Sequence, residues 1–331
     1  MLNGSEPAPD LHKCIKAYPP SRDYWLGAIL LVISFSVLIF YLCIAKSMVE
    51  LARKRTSFLL LLSHSCAEVL YVVQILWFAI EIVLNTALPL PFDFESFLYR
   101  FADKSEQIHL LLIALNRLHS VYFLFSYKWH WSKRRSIKYC ALAWSLGAIY
   151  SFGINYWPMT DPGYRKIHCL AHFSFKYKNL RKDNPSHETV RLLYLLEYKS
   201  FLGIILATTF CYLAVMAKFI SQLFVRDEIL DAQTIEQTKR RVWIFVICVL
   251  SAMPDFLAYM FQNHWAELKH TLLPSHLVGF SILTGSVLLH CNQPVWMLLL
   301  SPEFRKQIKT DWGILRIRKW ISNDSNATNQ T

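Results

Sequence analysis

Seven apolar stretches, each long enough to cross a bilayer, follow one another along the chain, at about 24–46, 57–84, 94–125, 137–157, 198–224, 242–262 and 272–300. A hydrocarbon core about 30 Å thick takes roughly 20 mostly apolar helical residues to cross. Within it, backbone N–H and C=O groups must bond inside their own segment, so a chain with this pattern folds as a helix bundle. The predicted fold class is therefore an all-α membrane protein, a seven-transmembrane helix bundle. The predicted divisions are an extracellular N-terminal arm over 1–23, the seven-helix domain over 24–300 and a cytoplasmic tail over 301–331. Span three is the most polar of the seven, because Arg100, Asp103, Lys104 and Glu106 interrupt its outer half.

Charge placement orients the bundle. The net charge of +12 could suit nucleic acid, but the basic residues lie between apolar spans and no nucleic-acid-binding motif is present. With the N-terminus outside, the inner segments carry 20 Lys/Arg and the outer ones six, leaving aside the loop of about 159–197. Long loops obey the positive-inside rule least, and the short ones favour N-terminus outside and C-terminus inside. Residues 1–22 are polar and proline-containing, without the basic and apolar regions of a cleavable signal, so span one is expected to act as the insertion signal.

The chain contains eight cysteines. Six lie in or near spans and read as small buried apolar groups. Cys14 and Cys169 alone fall on the outer, oxidising side, which predicts a disulfide tying the N-terminal arm to the long loop. Asn3 begins an Asn-Gly-Ser glycosylation sequon on the same side, whereas the sequons at Asn323, Asn326 and Asn329 fall in the inner tail and read as chance.

Span three ends in Asn116-Arg117, followed by the aromatic segment Tyr127-Lys-Trp-His-Trp131 and the basic run Lys133-Arg134-Arg135. An arginine at a membrane edge beside a basic loop suits an inner surface that meets another protein. Asp103 lies 14 residues before Arg117, roughly 21 Å along a helix, which places it in the outer half of the bilayer. Arg100 and Lys104 share a face there, and Asp103 can pair with either. Tyr99, Arg100, Asp103, Lys104 and Glu106 are the candidate small-molecule ligand residues, since ionisable groups at this depth mark function by default. Glu68, Asp255, His276 and His290 read as hydrogen-bonding links between helices, and His109 reads as a satisfied core histidine. After span seven, Phe304, Ile308, Trp312 and Leu315 recur at helical spacing among basic residues, which predicts a short amphipathic helix on the inner leaflet, ended or bent at Gly313.

The chain carries no Gly-x-Ser-x-Gly, His-Glu-x-x-His, di-iron histidine box or Gly-rich phosphate loop, so neither an enzyme, a cofactor nor a metal site is expected. Span seven has no lysine for a retinal Schiff base. A bundle of this kind also suits a multi-span transporter or ligand-gated channel, although no inverted repeat with broken helices is evident.

The ordered set of Asn116-Arg117, Trp144, Pro254 and Asn292-Gln293-Pro294 resembles a G-protein-coupled receptor. Asn116 stands where rhodopsin-like receptors have an acid, and Val295-Trp296-Met297 lacks the tyrosine that usually follows the proline. Span five has no proline, and no cysteine stands at the outer end of span three. The phrases Ala114-Leu-Asn116-Arg117-Leu-His-Ser120, Tyr127-Lys-Trp-His-Trp131 and Gln293-Pro294-Val-Trp-Met-Leu-Leu-Leu-Ser301-Pro-Glu-Phe-Arg305 are similar to nematode serpentine chemoreceptors of the gamma-class (Srg) superfamily. That resemblance implies a chemosensory receptor in the plasma membrane of a sensory cell. Its implied partners are a small-molecule ligand, a heterotrimeric G protein, membrane lipids and a second receptor copy. It further implies G-protein coupling at Asn116, Arg117, Tyr127, Lys128, Lys133, Arg134 and Arg135, and an activation hinge at Pro254, Asn292 and Pro294.

Overall fold

A computed structural model describes residues 24–84, 92–156, 188–225, 242, 245, 246, 249, 250, 252, 253, 275–290 and 292–312. These residues are helical apart from short breaks, and no strand occurs among them. The helices are α1 (Tyr24–Lys54), α2 (Thr56–Leu84), α3 (Phe92–Tyr122), α4 (Leu124–His130), α5 (Lys133–Tyr156), α6 (Glu188–Val225), α7 (Ser275–His290), α8 (Asn292–Leu300) and α9 (Pro302–Asp311). Three of them, α1, α2 and the Lys199–Ser221 part of α6, are long and apolar enough to cross a membrane by hydropathy alone. Of the other expected spans, α3 carries the buried polar side chains Arg100, Lys104, Glu106, Gln107 and His109.

α1 shows how an almost wholly apolar helix acquires an inside. Its buried residues Gly27, Leu30, Ser34, Val37, Tyr41, Ile44, Met48 and Leu51 recur at alternating steps of three and four, the seam of a helix packed nearly parallel to its neighbour. The opposite face exposes Ile29, Val32, Phe35, Ile39 and Leu42. Such a surface is unfavourable in water and suits hydrocarbon. α2 is the central helix, with Leu60, Ala67, Val72, Ile75 and Ala79 almost wholly buried. It packs on α1, α3, α5 and α7.

Small residues set the closest approaches. A Cβ added at Gly147 of α5 would lie 2.2 Å from Ser105 Oγ of α3 and 3.1 Å from the Ser105 backbone nitrogen. The helices meet backbone to backbone there, which only glycine permits.

The structure moves two sequence-predicted boundaries and seats the tail helix. The inner loop expected at 47–56 is almost entirely helix: α1 runs to Lys54 and α2 begins at Thr56. Ala45, Lys46, Met48, Glu50, Leu51 and Ala52 are good helix formers, so the helix outlasts the apolar stretch. At about 46 Å for its 31 residues, α1 is longer than the hydrocarbon is thick. The long loop expected to reach residue 197 ends earlier, since α6 begins at Glu188. The tail helix is α9, and its apolar stripe packs into the bundle as well as along it. Phe304 is fully buried in the inner core, and Ile308 packs against that core. Trp312 is exposed, and Leu315 lies outside the described residues.

α9 is held at both ends. Ser301 caps it, its hydroxyl accepting from Phe304 N–H at 3.3 Å, with Pro302 in the first turn. Ser47 Oγ donates to Asp311 Oδ2 at 2.7 Å, Lys54 Nζ donates to Gln307 Oε1 at 3.2 Å, and Arg55 pairs with Glu303. Lys54 and Arg55, two basic residues of the expected inner loop, are thus bound to the tail helix.

Candidate functional site

At the inner end of α3, Asn116 is buried and Arg117 is 8% exposed. Asn116 Nδ2 donates to the Tyr127 hydroxyl at 3.2 Å, tying α3 to α4. Arg117 Nε has no hydrogen-bond partner, and among the described residues no carboxylate pairs with this guanidinium. A chain with asparagine ahead of the arginine therefore uses that side chain to fix the following short helix, not to neutralise the cation. His119 and Ser126 make a second tie between the same helices at 2.8 Å.

The remaining predicted coupling residues lie on α4 and at the start of α5. Lys128, Lys133 and Arg134 are exposed. Lys133 Nζ donates to the Arg53 carbonyl at 3.3 Å. Arg135 stacks 3.5 Å over the Trp129 ring and donates to the Trp129 carbonyl at 3.0 Å, a cation–π contact that holds one positive charge flat on the inner surface.

In the outer half, α3 presents a buried polar ladder. The Tyr99 hydroxyl lies 3.1 Å from that of Tyr71. Lys104 Nζ donates to Gln107 Oε1 at 2.8 Å, lies 3.8 Å from Asp103 Oδ2, and sits over the rings of Tyr150 and Phe201 at 5.2 and 5.3 Å. Of the two cations offered to Asp103 by the sequence, Lys104 is thus one that approaches it. The Gln107 amide donates back to both Asp103 oxygens, at 3.1 and 3.0 Å. Arg100 is buried. Glu106 turns elsewhere, toward His290 of α7.

Directly below Gln107 opens a cavity of about 330 Å³, lined by α3, α6 and the described residues of span six. Its walls are Leu110, Phe201, Ile205, Tyr212, Phe245, Val249 and their apolar neighbours, with Gln107, Thr208 and Thr209 as polar points. None of the five predicted ligand residues lines it. Gln107, which sequence reasoning did not select, joins the cavity to Lys104. The walls on α6 and span six carried no signal in the sequence, because apolar residues facing a cavity and those facing lipid are alike in type.

A second network crosses the bundle at mid-depth. Trp144 Nε1–H donates to Ser63 Oγ at 3.1 Å, Ser63 lies 2.8 Å from His109 Nε2, and His109 Nδ1 lies 2.6 Å from the Ser105 carbonyl. This is the satisfied core histidine the sequence predicts, and it joins spans two, three and four. Toward span seven, Gln293 Nε2 donates to the Leu61 carbonyl at 3.3 Å, and Asn292 Nδ2 donates to the Leu250 carbonyl at 3.0 Å. Pro294 is buried. Asn3, Cys14, Cys169, Pro254 and Asp255 lie outside the described residues, as does the side chain of His276.

No curated protein matches the chain. Residues 31–293 match the family described as the serpentine-type seven-transmembrane G-protein-coupled chemoreceptor Srx. The match runs from early α1 into α8, across the span-three Asn116-Arg117 pair, the polar ladder, the cavity and the Asn292-Gln293 links. A match over that much of the sequence, on an all-helical chain with membrane-crossing helices, identifies a multi-pass membrane protein: the chain belongs to the Srx family of serpentine seven-transmembrane G-protein-coupled chemoreceptors.

Proposed function

We propose that this receptor binds a small, largely apolar cue in the cavity beneath Gln107 and relays its presence to a heterotrimeric G protein at the inner ends of α3, α4 and α5. The observation that carries this reading is the continuity of α3. One helix bears Gln107, bonded to Lys104 and lining an apolar cavity, and, ten residues past Gln107, Arg117, which pairs with no carboxylate among the described residues. That separation is about 15 Å of rigid helix. Pockets of this kind take most of their binding from apolar walls and their orientation from a few polar groups. Gln107 serves as that polar group, with Lys104 fixing its amide and Tyr99, Arg100 and Asp103 supporting the ladder.

Asn116, Arg117, Tyr127, Lys128, Lys133, Arg134 and Arg135 form the coupling surface, its exposed positive charge steering an acidic face of the partner. Pro254 acts as a hinge in span six, since proline leaves a gap in the helical ladder. The Asn292–Leu250 link and Pro294 pass the movement to span seven. The arm over 1–23 carries glycosylation at Asn3 and a Cys14–Cys169 disulfide. Residues 24–300 form the membrane domain and 301–331 the cytoplasmic tail. The gamma-class (Srg) placement, plasma-membrane location in a sensory cell and association of two copies complete the reading.

The test is a second-messenger response to an odorant panel in cells that display the receptor. Gln107→Ala should raise the effective concentration of an activating cue by about tenfold, the equivalent of about 1.4 kcal/mol, without lowering the maximal response. Ligand-evoked current that persists without any G protein would instead make the chain a channel.

A further inference from the structure

Two carboxylates and two imidazoles meet inside the bundle, between the polar ladder and the inner face. His64 and Glu68 lie four apart on α2 and so share a face; His64 Nδ1 is 3.5 Å from Glu68 Oε2. Glu106 enters from α3, and one donor atom from each of His64, Glu68 and Glu106 lies within 4.8 Å of the other two. All three are buried, at 2%, 2% and 4% exposure.

The surrounding contacts orient the carboxylates and leave donor capacity unused. His290 Nδ1 lies 2.7 Å from both Glu106 oxygens. A single N–H can point at only one of them, and Oε2, fully buried, accepts no hydrogen bond among the described residues. The Tyr41 hydroxyl lies 2.7 Å from Glu68 Oε2 and 2.8 Å from the His290 carbonyl, so its one proton is shared. No Lys or Arg pairs with Glu68 or Glu106 among the described residues. Buried carboxylates are otherwise found paired or bound to metals, since an uncompensated charge in this medium is costly.

We propose that His64, Glu68 and Glu106 form a binding site for a divalent transition-metal ion of the zinc class inside the seven-helix bundle, with His290 orienting the Glu106 carboxylate. An imidazole with two carboxylates is a donor set that zinc accepts, whereas magnesium and calcium take oxygen alone. The 3.5 Å between His64 Nδ1 and Glu68 Oε2 is close to the roughly 3.3 Å separating two donors on a tetrahedral zinc at about 2.0–2.1 Å. One dication offsets both carboxylates and joins span two to span three. Through Glu106 and His290 the same ion reaches span seven, with ligating carboxylates held by hydrogen bonds as metal sites generally hold them. This site is independent of the proposed cue cavity, and neither proposal requires the other.

The experiment uses the full chain in lipid nanodiscs, stripped with a chelator and then reloaded with zinc chloride. Wild type should retain about one zinc per chain after buffer exchange, with its Tm raised by several degrees, because a ligand bound only by the folded state stabilises it. Glu68→Gln and Glu106→Gln should each lose most of the bound zinc and most of the zinc-dependent rise. Wild type that retains no zinc, or shifts its Tm with pH but not with zinc, overturns the site. Variants that hold as much zinc as wild type also overturn it. Should those variants not fold, cobalt(II) loaded into wild type decides. Visible bands of a nitrogen–oxygen, near-tetrahedral site support the assignment, and a thiolate-to-cobalt charge-transfer band or no cobalt binding contradicts it.

Discussion

Asn116 Nδ2 donates to the hydroxyl of Tyr127, eleven residues along the chain, at 3.2 Å. The bond spans the break at Phe123 and sets the angle between α3 and the short α4. Since Asn116 occupies the place from which an acid would hold Arg117, the side chain beside the arginine positions a neighbouring helix, and among the described residues no carboxylate pairs with the arginine. Replacing Tyr127 with Phe removes one part-buried hydrogen bond, worth about 0.5–1.5 kcal/mol. Surface display should be kept. G-protein activation by a saturating cue should fall severalfold, read as nucleotide exchange in membranes of equal receptor content. Undiminished exchange would detach α4 from coupling.

Gly147 tests the packing of α3 on α5. A leucine there has to displace the Ser105 backbone as well as its hydroxyl. Overpacking of this kind costs about 1–3 kcal/mol, so Gly147→Leu should lower the Tm of detergent-solubilised receptor and reduce display. Gly153 and Gly203, whose added Cβ would meet nothing within 4 Å, should tolerate alanine with little change in Tm. Equal losses at all three positions would contradict the close contact.

Much of the fold was readable in the sequence, for reasons visible in particular residues. The spans show because hydrocarbon imposes length and apolarity, and α1 starts where the expected span starts, at Tyr24. Inner ends were harder to place. Lys46 and Glu50 end the apolar stretch while remaining good helix formers, so α1 continues as far as Lys54. The direction each helix faces was the least legible property. Leu30 is buried and Val32 exposed, and both are apolar, because lipid and core accept the same side chains.

The site divides along the same line. Polar residues in apolar spans stood out, and His109, His290 and Glu68 do bond as helix-to-helix links. Their partners could not be read. Glu106 lies three residues from Asp103 yet turns to α7, and Gln107 became the link between Lys104 and the cavity. The spacing of His64 and Glu68 was present in the sequence, but the third donor comes from another helix, so only the folded chain brings the three together.

The outer disulfide has its own check. Non-reducing peptide mapping of surface-labelled receptor should recover Cys14 joined to Cys169. An N-terminal tag should be labelled on intact cells and a C-terminal tag should not, as the basic inner segments require. Recovery of both cysteines as free thiols would remove the bridge, and reversed labelling would remove the receptor orientation.

The central claim is that the inner end of α3 transmits the signal. Its most direct test is cue-stimulated nucleotide exchange on a heterotrimeric G protein with wild type and Arg117→Ala at matched surface level. Arg117 is almost buried and has no carboxylate partner among the described residues, so its loss should leave the fold and cue binding intact. Exchange in the variant should fall at least about tenfold, a change of about 1.4 kcal/mol, with radioligand or fluorescent-cue affinity unchanged. Normal exchange by Arg117→Ala at equal display would contradict the account.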